Sequence, residues 1–468
     1  MPDRTRAAPP PITPVPAVGD VGTVPGADLG PEWARAPDRA PPPGLVGPGA
    51  WMKKNLFDGF WNSLTTVILA TLVAWMAWSF IQWAIIDAVW DARNVRECLD
   101  TSPEGACWAG VRLWFHQFIY GLYPPEYRWR INMGFLVLFL WLLAINLPRV
   151  TAKISSAIPL VLLFPFLAAY IFHGGQKGFL WNGLSAAAIV GFVAVWLNVA
   201  TEYAYRRTLP KTLIAIAGFE ARDERAQRRL WLGALGVGFV IAYAAFSLVE
   251  LDIVRTSRWG GLFVTLVISG IGITFALPAG ILLALGRRSH LPFIRICCTA
   301  YIELFRSVPL ITVLFMATTM VPLFLPEGVS FDKLLRAIFA VCIFGAAYMA
   351  EVVRGGLQAI PRGQYEAAAA LGLDYWRTTT FIVMPQALKL MIPNIVSLFI
   401  GLFKDTTLVT IIGLFDFLGM LQSLAEDTDW IGLIDEPYLI GAVVYFIFCY
   451  SMSRYARNLE LKLDTGRR

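Results

Sequence analysis

Residues Asn62 to Ile86 read NSLTTVILATLVAWMAWSFIQWAII, a run of 25 positions without a charged side chain. At about 1.5 Å per helical residue this run exceeds the roughly 20 residues needed to cross a hydrocarbon layer of about 30 Å. Working outward, comparable apolar windows recur at 131–147, 154–172, 180–199, 230–249, 260–285, 308–325, 334–350, 390–414 and 438–453. The whole chain of 468 residues is 57% hydrophobic and 15% charged, whereas a soluble domain carries roughly 25% charge. These windows predict an all-α polytopic membrane protein of about ten spans. The eighth window is short and the ninth contains Lys404-Asp405, so eight to ten spans are compatible with the sequence. Pro165, Pro278 and Pro393 do not exclude the helices that contain them, because neighbouring helices can satisfy the backbone groups that proline frees.

The net charge of +6 does not indicate a nucleic-acid partner, since the basic residues sit between apolar blocks and not on a soluble face with stacking aromatics. They report orientation instead. With both termini in the cytoplasm and ten spans, the inner segments collect 28 of the 39 Lys and Arg residues. The 201–229 loop alone holds Arg206, Arg207, Lys211, Arg222, Arg225, Arg228 and Arg229, while the outer 173–179 and 326–333 loops have one lysine each. Basic residues are retained on the inner side, which fixes this topology. His116, His173 and His290 stand far apart and offer no ligand spacing, so no metal site is expected. Residues 1–50 contain 13 of the 29 prolines and are expected to be a disordered cytoplasmic tail, because such a segment buries too little apolar area to offset ordering entropy.

The same topology places Cys98 and Cys107, nine positions apart, in the long outer loop 87–130. An oxidising compartment permits a disulfide there, and two free thiols are the other reading. A bridge closing so short a loop stabilises by somewhat less than about 3 kcal/mol in the chain-entropy description. Cys297, Cys298, Cys342 and Cys449 fall inside the membrane or at its cytoplasmic side and are expected to stay reduced.

Between the eighth and ninth windows lies Ala347-Tyr348-Met349-Ala350-Glu351-Val352-Val353-Arg354-Gly355-Gly356, followed by Pro361-Arg362-Gly363-Gln364-Tyr365-Glu366-Ala367-Ala368-Ala369-Ala370-Leu371-Gly372. Tyr365 to Leu371 forms helix readily, and Gly372 suits a left-handed C-cap with Leu373 folding back as its apolar contact. Asp374 can N-cap a second short helix running to about Met384, where Pro385 biases its predecessor out of helix. Two short helices on the inner membrane surface result. Four consecutive alanines present little bulk, so the first helix fits a groove of another protein; helix propensity is the alternative reason for the run.

Glu366-Ala367-Ala368, Gly372 and Ile382-Val383-Met384-Pro385 resemble the EAA coupling motif of ABC-importer permeases, with Met384 where the family pattern has leucine. That exchange conserves volume and apolarity. Tyr301-Ile302-Glu303-Leu304-Phe305-Arg306-Ser307-Val308-Pro309-Leu310, Ala350-Glu351-Val352-Val353-Arg354-Gly355-Gly356 and Lys404-Asp405-Thr406-Thr407-Leu408 are similar to the polar amino-acid uptake permeases. The resemblance spans 255–468 and implies a five-helix type I ABC-importer core with a cytoplasmic coupling loop at 354–389. Residues 51–254 are then a five-span extension. Together with Leu277-Pro278-Ala279-Gly280-Ile281 through Ser289, this extension resembles the larger permease subunit of bacterial general L-amino-acid importers.

The resemblance implies a multi-pass inner-membrane importer subunit, partnered by a second permease subunit, ABC ATPase subunits and a periplasmic amino-acid-binding protein. Glu366, Ala367, Ala368, Gly372 and Pro385 are the coupling candidates, with the Glu366 carboxylate expected to fix the helix. The chain has no G-x-x-x-x-G-K-[ST] loop, so it is not read as an enzyme, and ATP and Mg are expected only through the partner ATPase, with no cofactor bound by this chain. Lys404, Asp405, Thr406 and Thr407 are substrate-pathway candidates, since a zwitterion needs opposite charges to replace water; a self-neutralising pair at a helix break is the alternative. Glu303 with Arg306, and Glu351 with Arg354, have the three-residue spacing of structural ion pairs near the inner interface. The rival function is an ion-coupled secondary transporter, against which stand the Glu366–Pro385 hairpin and the lack of an internal repeat. A membrane enzyme finds no H-E-x-x-H or G-x-S-x-G set here.

Overall fold

A computed structural model describes residues 48–147, 153–175, 178–205, 224–326 and 331–463. Most of the expected disordered tail and residues 206–223 of the basic loop lie outside the described residues, whereas 48–50 already open a helix. The chain divides into two units, Met1–Ile81 and Gln82–Arg468.

In the first unit, α1 (Pro48–Asn55) leads through Gly59, at φ +98°, into α2 (Phe60–Ile81). No residue of α2 is buried. Two of its hydroxyls bond to carbonyls one turn earlier: Ser63 donates to that of Gly59 at 2.8 Å and Thr65 to that of Trp61 at 2.9 Å. That is the arrangement a helix needs when hydrocarbon surrounds it.

The second unit opens with a π-turn at Gln82–Ile86, then α3 (Val95–Thr101) and α4 (Trp108–Tyr120), which are too short to span. Next come α5 (Arg128–Asn146), α6 (Lys153–His173), α7 (Phe179–Tyr205) and α8 (Glu224–Leu248), packed as sequential neighbours. Helix α9 (Gly261–Arg287) lies along α12 (Lys333–Ala359) as the most extensive pairing of the fold. The reason is a ladder of small residues on α9, with Gly272, Ala276, Gly280 and Ala284 all buried at four-residue spacing. A Cβ on Gly280 would stand 2.5 Å from Met349 Cγ and 3.0 Å from the Ala350 amide, so the two backbones approach as closely as glycine permits.

Between them, α10 (Pro292–Ser307) meets α11 (Leu310–Phe315) and the π and 3-10 turns to Phe324 at a bend of 107°. The expected window 308–325 is therefore only the second arm of a broken element, and 292–307, which lies outside the apolar windows, is helical. Arg295, Glu303 and Arg306 interrupt its apolar run and hide it from a window reading. After α12 come α13 (Arg362–Ala370), α14 (Tyr375–Arg377), a π segment at Thr378–Val383 and α15 (Met384–Leu390). Helix α16 (Ile392–Asp405) continues as a 3-10 helix over Thr406–Ile412, followed by α17 (Phe417–Glu426) and α18 (Asp435–Leu463).

Among the described residues there is no strand; isolated bridges join Val89 to Cys107 and Gly261 to Asp416. Among the described residues seven helices are long and apolar enough to cross a membrane, or eight if the bent pair counts as one span. The stretches Ala157–His173 of α6 and Leu232–Leu248 of α8 are further apolar helices among the described residues, and the expected count of about ten spans is not confirmed. One core joins Tyr123, Ile131, Phe172 and Val254 to Phe263, Val341 and Leu402, so packing runs without a break across position 254.

Candidate functional site

The loop after α12 folds into a hairpin whose tip is set by one glycine. Leu373 N–H donates to the Ala368 carbonyl at 3.1 Å and Gly372 N–H to that of Ala369 at 2.9 Å, the paired bonds of a Schellman cap. Gly372 has φ +71°, and no atom lies within 4 Å of where its Cβ would be. The Asp374 carboxylate accepts from the Arg377 amide at 2.7 Å and starts α14. Ala368 is 1% exposed, on the face by which α13 packs against 378–383, while Ala367, Ala369 and Ala370 are exposed. Leu371 and Trp376 stand out at 78% and 66% exposure beside exposed Tyr375.

Two details depart from expectation. Glu366 is exposed and has no hydrogen bond or ion pair to a described residue, so its carboxylate does not fix the helix. Pro385 does not end a helix at Met384. It sits in the first turn of α15, directly after the π segment, where Met384 N–H already bonds five residues back to Thr379. The wider turn absorbs the amide that proline lacks.

The hairpin is tied to the membrane helices at its base. Arg288, which follows α9, donates from Nη1 to the Tyr365 hydroxyl at 3.4 Å and lies 5.9 Å from the ring centroid. Gln386 Nε2 donates to Gln364 Oε1 at 3.1 Å. Beside Arg288 begins a cluster of charges. Arg287 pairs with Glu303 at 2.9 Å and with Glu351 at 3.5 Å; Arg306 pairs with Glu351 at 3.3 Å, and Arg354 holds the other oxygen of the same carboxylate. The Glu351–Arg354 spacing is thus a contact, but Glu303 does not pair with Arg306. Arg306 turns to α12 instead, and Glu303 is taken by Arg287, a residue that sequence spacing along α10 cannot reveal. Three arginines face two carboxylates at the ends of α9, α10 and α12, and Glu351 is the common partner.

Lys404 and Asp405 close α16 at the point where it tightens into the 3-10 helix. Lys404 is exposed, Asp405 half-buried, and among the described residues no ion pair joins them. Thr406 is completely buried and donates to the Phe403 carbonyl at 2.8 Å, so it does not face an open passage; Thr407 donates to the Lys404 carbonyl at 2.9 Å. Beyond the 3-10 helix, Asp416 is wholly buried and N-caps α17, accepting from Gly419 N–H at 2.9 Å and from Thr410 Oγ1 at 2.7 Å. Burial pushes its carboxyl above the usual carboxylate range, against the opposing pull of those hydrogen bonds.

Away from the hairpin in sequence, Cys98 and Cys107 form a disulfide, with Cα atoms 5.8 Å apart. Cys107 N–H donates to Glu436 Oε1 on α18 at 2.7 Å. Sequence reading did not single out Glu436, Asp416 or Arg287, because each owes its role to a partner far along the chain.

A model of the family described as "Binding-protein-dependent transport system inner membrane component" matches residues 276–465. Over 421 residues the chain is 41% identical to the inner membrane amino-acid ABC transporter permease protein YhdY of Escherichia coli (strain K12), covering 89% of this chain and 93% of that one. It is 40% identical over 442 residues to the glutamate/glutamine/aspartate/asparagine transport system permease protein BztC of Rhodobacter capsulatus, covering 92% and 97%. Among solved structures, that of an amino acid ABC transporter with histidines aligns at 29% identity and a TM-score of 0.40, over 43% of this chain and 92% of that one. The chain belongs to the amino-acid ABC transporter permeases.

Proposed function

We propose that this chain is the membrane-spanning permease subunit of an ATP-driven importer of polar L-amino acids, of the general L-amino-acid subgroup. The observation that carries the reading is the exposed hairpin Arg362–Arg377, built on a glycine cap and anchored by Tyr365, in a chain 41% identical to a permease of that class. In this reading the hairpin docks on a separate ABC ATPase, with Ala367 and Ala368 keeping it slim and Gly372 setting its bend. ATP and Mg act at the ATPase; this chain supplies the moving helices. A second permease subunit completes the pathway, and a periplasmic binding protein delivers substrate from the side of the Cys98–Cys107 loop, with both termini in the cytoplasm and the membrane an inner one.

Lys404 is the pathway residue best supported, being a cation in an apolar helix without an ion-pair partner among the described residues. It suits the carboxylate of an amino acid. Purification of the tagged chain in mild detergent, followed by identification of its companions and uptake assays in proteoliposomes, tests the whole proposal. Isolation without an ATPase, or uptake driven by an ion gradient alone, rejects it.

A further inference from the structure

The extension is joined to the core by a corner made from chain segments far apart in sequence. Backbone bonds from Ala106 to Trp83 (2.9 Å), from Val89 to Ala106 (2.8 Å) and from Trp108 to Val89 (2.8 Å) hold the disulfide-closed segment against the start of the second unit. On its other side Val95 N–H donates to the Asp429 carbonyl at 2.8 Å. A Cβ on Gly110 of α4 would stand 2.7 Å from Leu433, and one on Gly121 only 2.3 Å from the Gly260 Cα. Into this corner points Glu436, 6% exposed, its carboxylate met by the amide of Cys107 across 329 residues of chain. A carboxylate so enclosed is costly unless it accepts hydrogen bonds. Below it on the same helix, Tyr445 and Phe448 enclose Phe403, at ring distances of 5.4 Å and 5.3 Å, and Phe403 precedes Lys404.

We propose that Glu436 is a positioning residue for translocation: the Cys98–Cys107 bridge holds the Cys107 amide, the amide fixes the outer end of α18, and α18 sets the place of the helix break at Lys404. Residues 83–121 of the extension then have a task, to brace the core at its outer corner. This inference rests on the permease reading, so the test carries a readout independent of transport.

The complete importer is reconstituted with Glu436→Gln, Glu436→Leu, the paired Cys98→Ser/Cys107→Ser variant, and the pair combined with Glu436→Leu. Gln keeps an oxygen for the Cys107 amide, and Leu does not. Glu436→Leu and the cysteine pair are each expected to lower amino-acid uptake per ATP hydrolysed by about threefold or more, with Glu436→Gln within about twofold of the parent. The combination is expected to be no worse than the worse of its parts, because both remove one contact. Multiplied effects, parental coupling in Glu436→Leu, or a Gln variant as impaired as Leu each overturn the proposal. Amide exchange at Cys107 and along the first turn of α18 is followed on the same samples and is expected to quicken about tenfold in the Leu and cysteine variants. Unchanged exchange overturns the brace even in a complex that carries no amino acid, whereas quickened exchange without any uptake in the parent counts against the permease reading alone.

Discussion

At Gly372 the backbone is left-handed and the space around it is empty, so a substitution there is penalised by conformation and not by collision. Asn and Asp tolerate this conformation about equally and differ in charge. Gly372→Asn is therefore expected to retain substrate-stimulated ATP hydrolysis in the reconstituted complex, whereas Gly372→Asp inserts normally but loses most of it by placing a carboxylate on the docking surface. Equal behaviour of the two variants would show that the tip does not touch the ATPase. Asp416 offers a test in pH. Its folded pKa lies above the unfolded one, so the folded state holds the proton more tightly and stability falls as pH rises from about 3.8 through the raised value, then levels off. Asp416→Asn keeps an acceptor for Gly419 and Thr410, and is expected to flatten that slope in the thermal midpoint measured from pH 4 upward. At the inner cluster, Glu351→Gln leaves Arg287, Arg306 and Arg354 facing one another and is expected to cost about 1–3 kcal/mol. Glu303→Gln removes a carboxylate that is 55% exposed and is expected to cost less than about 1 kcal/mol; thermal midpoints in detergent compare the two.

Among the elements, those with strong local signals were legible and those made by distant partners were not. Gly372, Leu373 and Asp374 announce the hairpin because capping is local chemistry, and the structure forms those bonds. Helix α10 falls outside the apolar windows because its charges break the run, and the partners of Glu303 and Arg306 are Arg287 and Glu351, which come from α9 and α12. Pro385 misled for a related reason, since a π segment preceding it lets the helix continue. The α9–α12 contact follows from small residues that serve no polar purpose. Gly280→Leu forces a side chain into Met349 and the Ala350 backbone and is expected to cost about 3 kcal/mol or more, seen as loss of the monodisperse peak in size-exclusion chromatography. Gly270→Leu, with nothing within 4 Å of its Cβ, is the control and should elute as the parent does.

For the molecule as a whole, the division at 254 that the family resemblance suggests is a boundary in sequence and not in packing. Tyr123 donates to the Phe172 carbonyl at 2.7 Å, and both side chains meet Phe263 of α9, at ring distances of 5.9 Å and 4.9 Å. Residues 255–468 expressed alone expose that aromatic face and are expected to accumulate poorly in the membrane, with recovery when 48–254 is supplied as a second polypeptide. Full accumulation of the isolated segment would show that the shared core is dispensable. Lipid explains why composition revealed the membrane so readily while the outer corner stayed hidden. Apolarity is a property of each window, but Glu436 gains its meaning only from Cys107.

That corner also imposes an order on biogenesis. The Cys107 amide and its carboxylate acceptor are separated by 329 residues, and at roughly 5–20 residues per second a ribosome needs about 15–65 s to make the intervening chain. In the topology proposed above, the first outer loop would therefore cross the membrane and meet an oxidant long before its final partner exists. In that topology the loop would wait, bridged but undocked, until the last helix inserts, which makes its maturation a matter of timing.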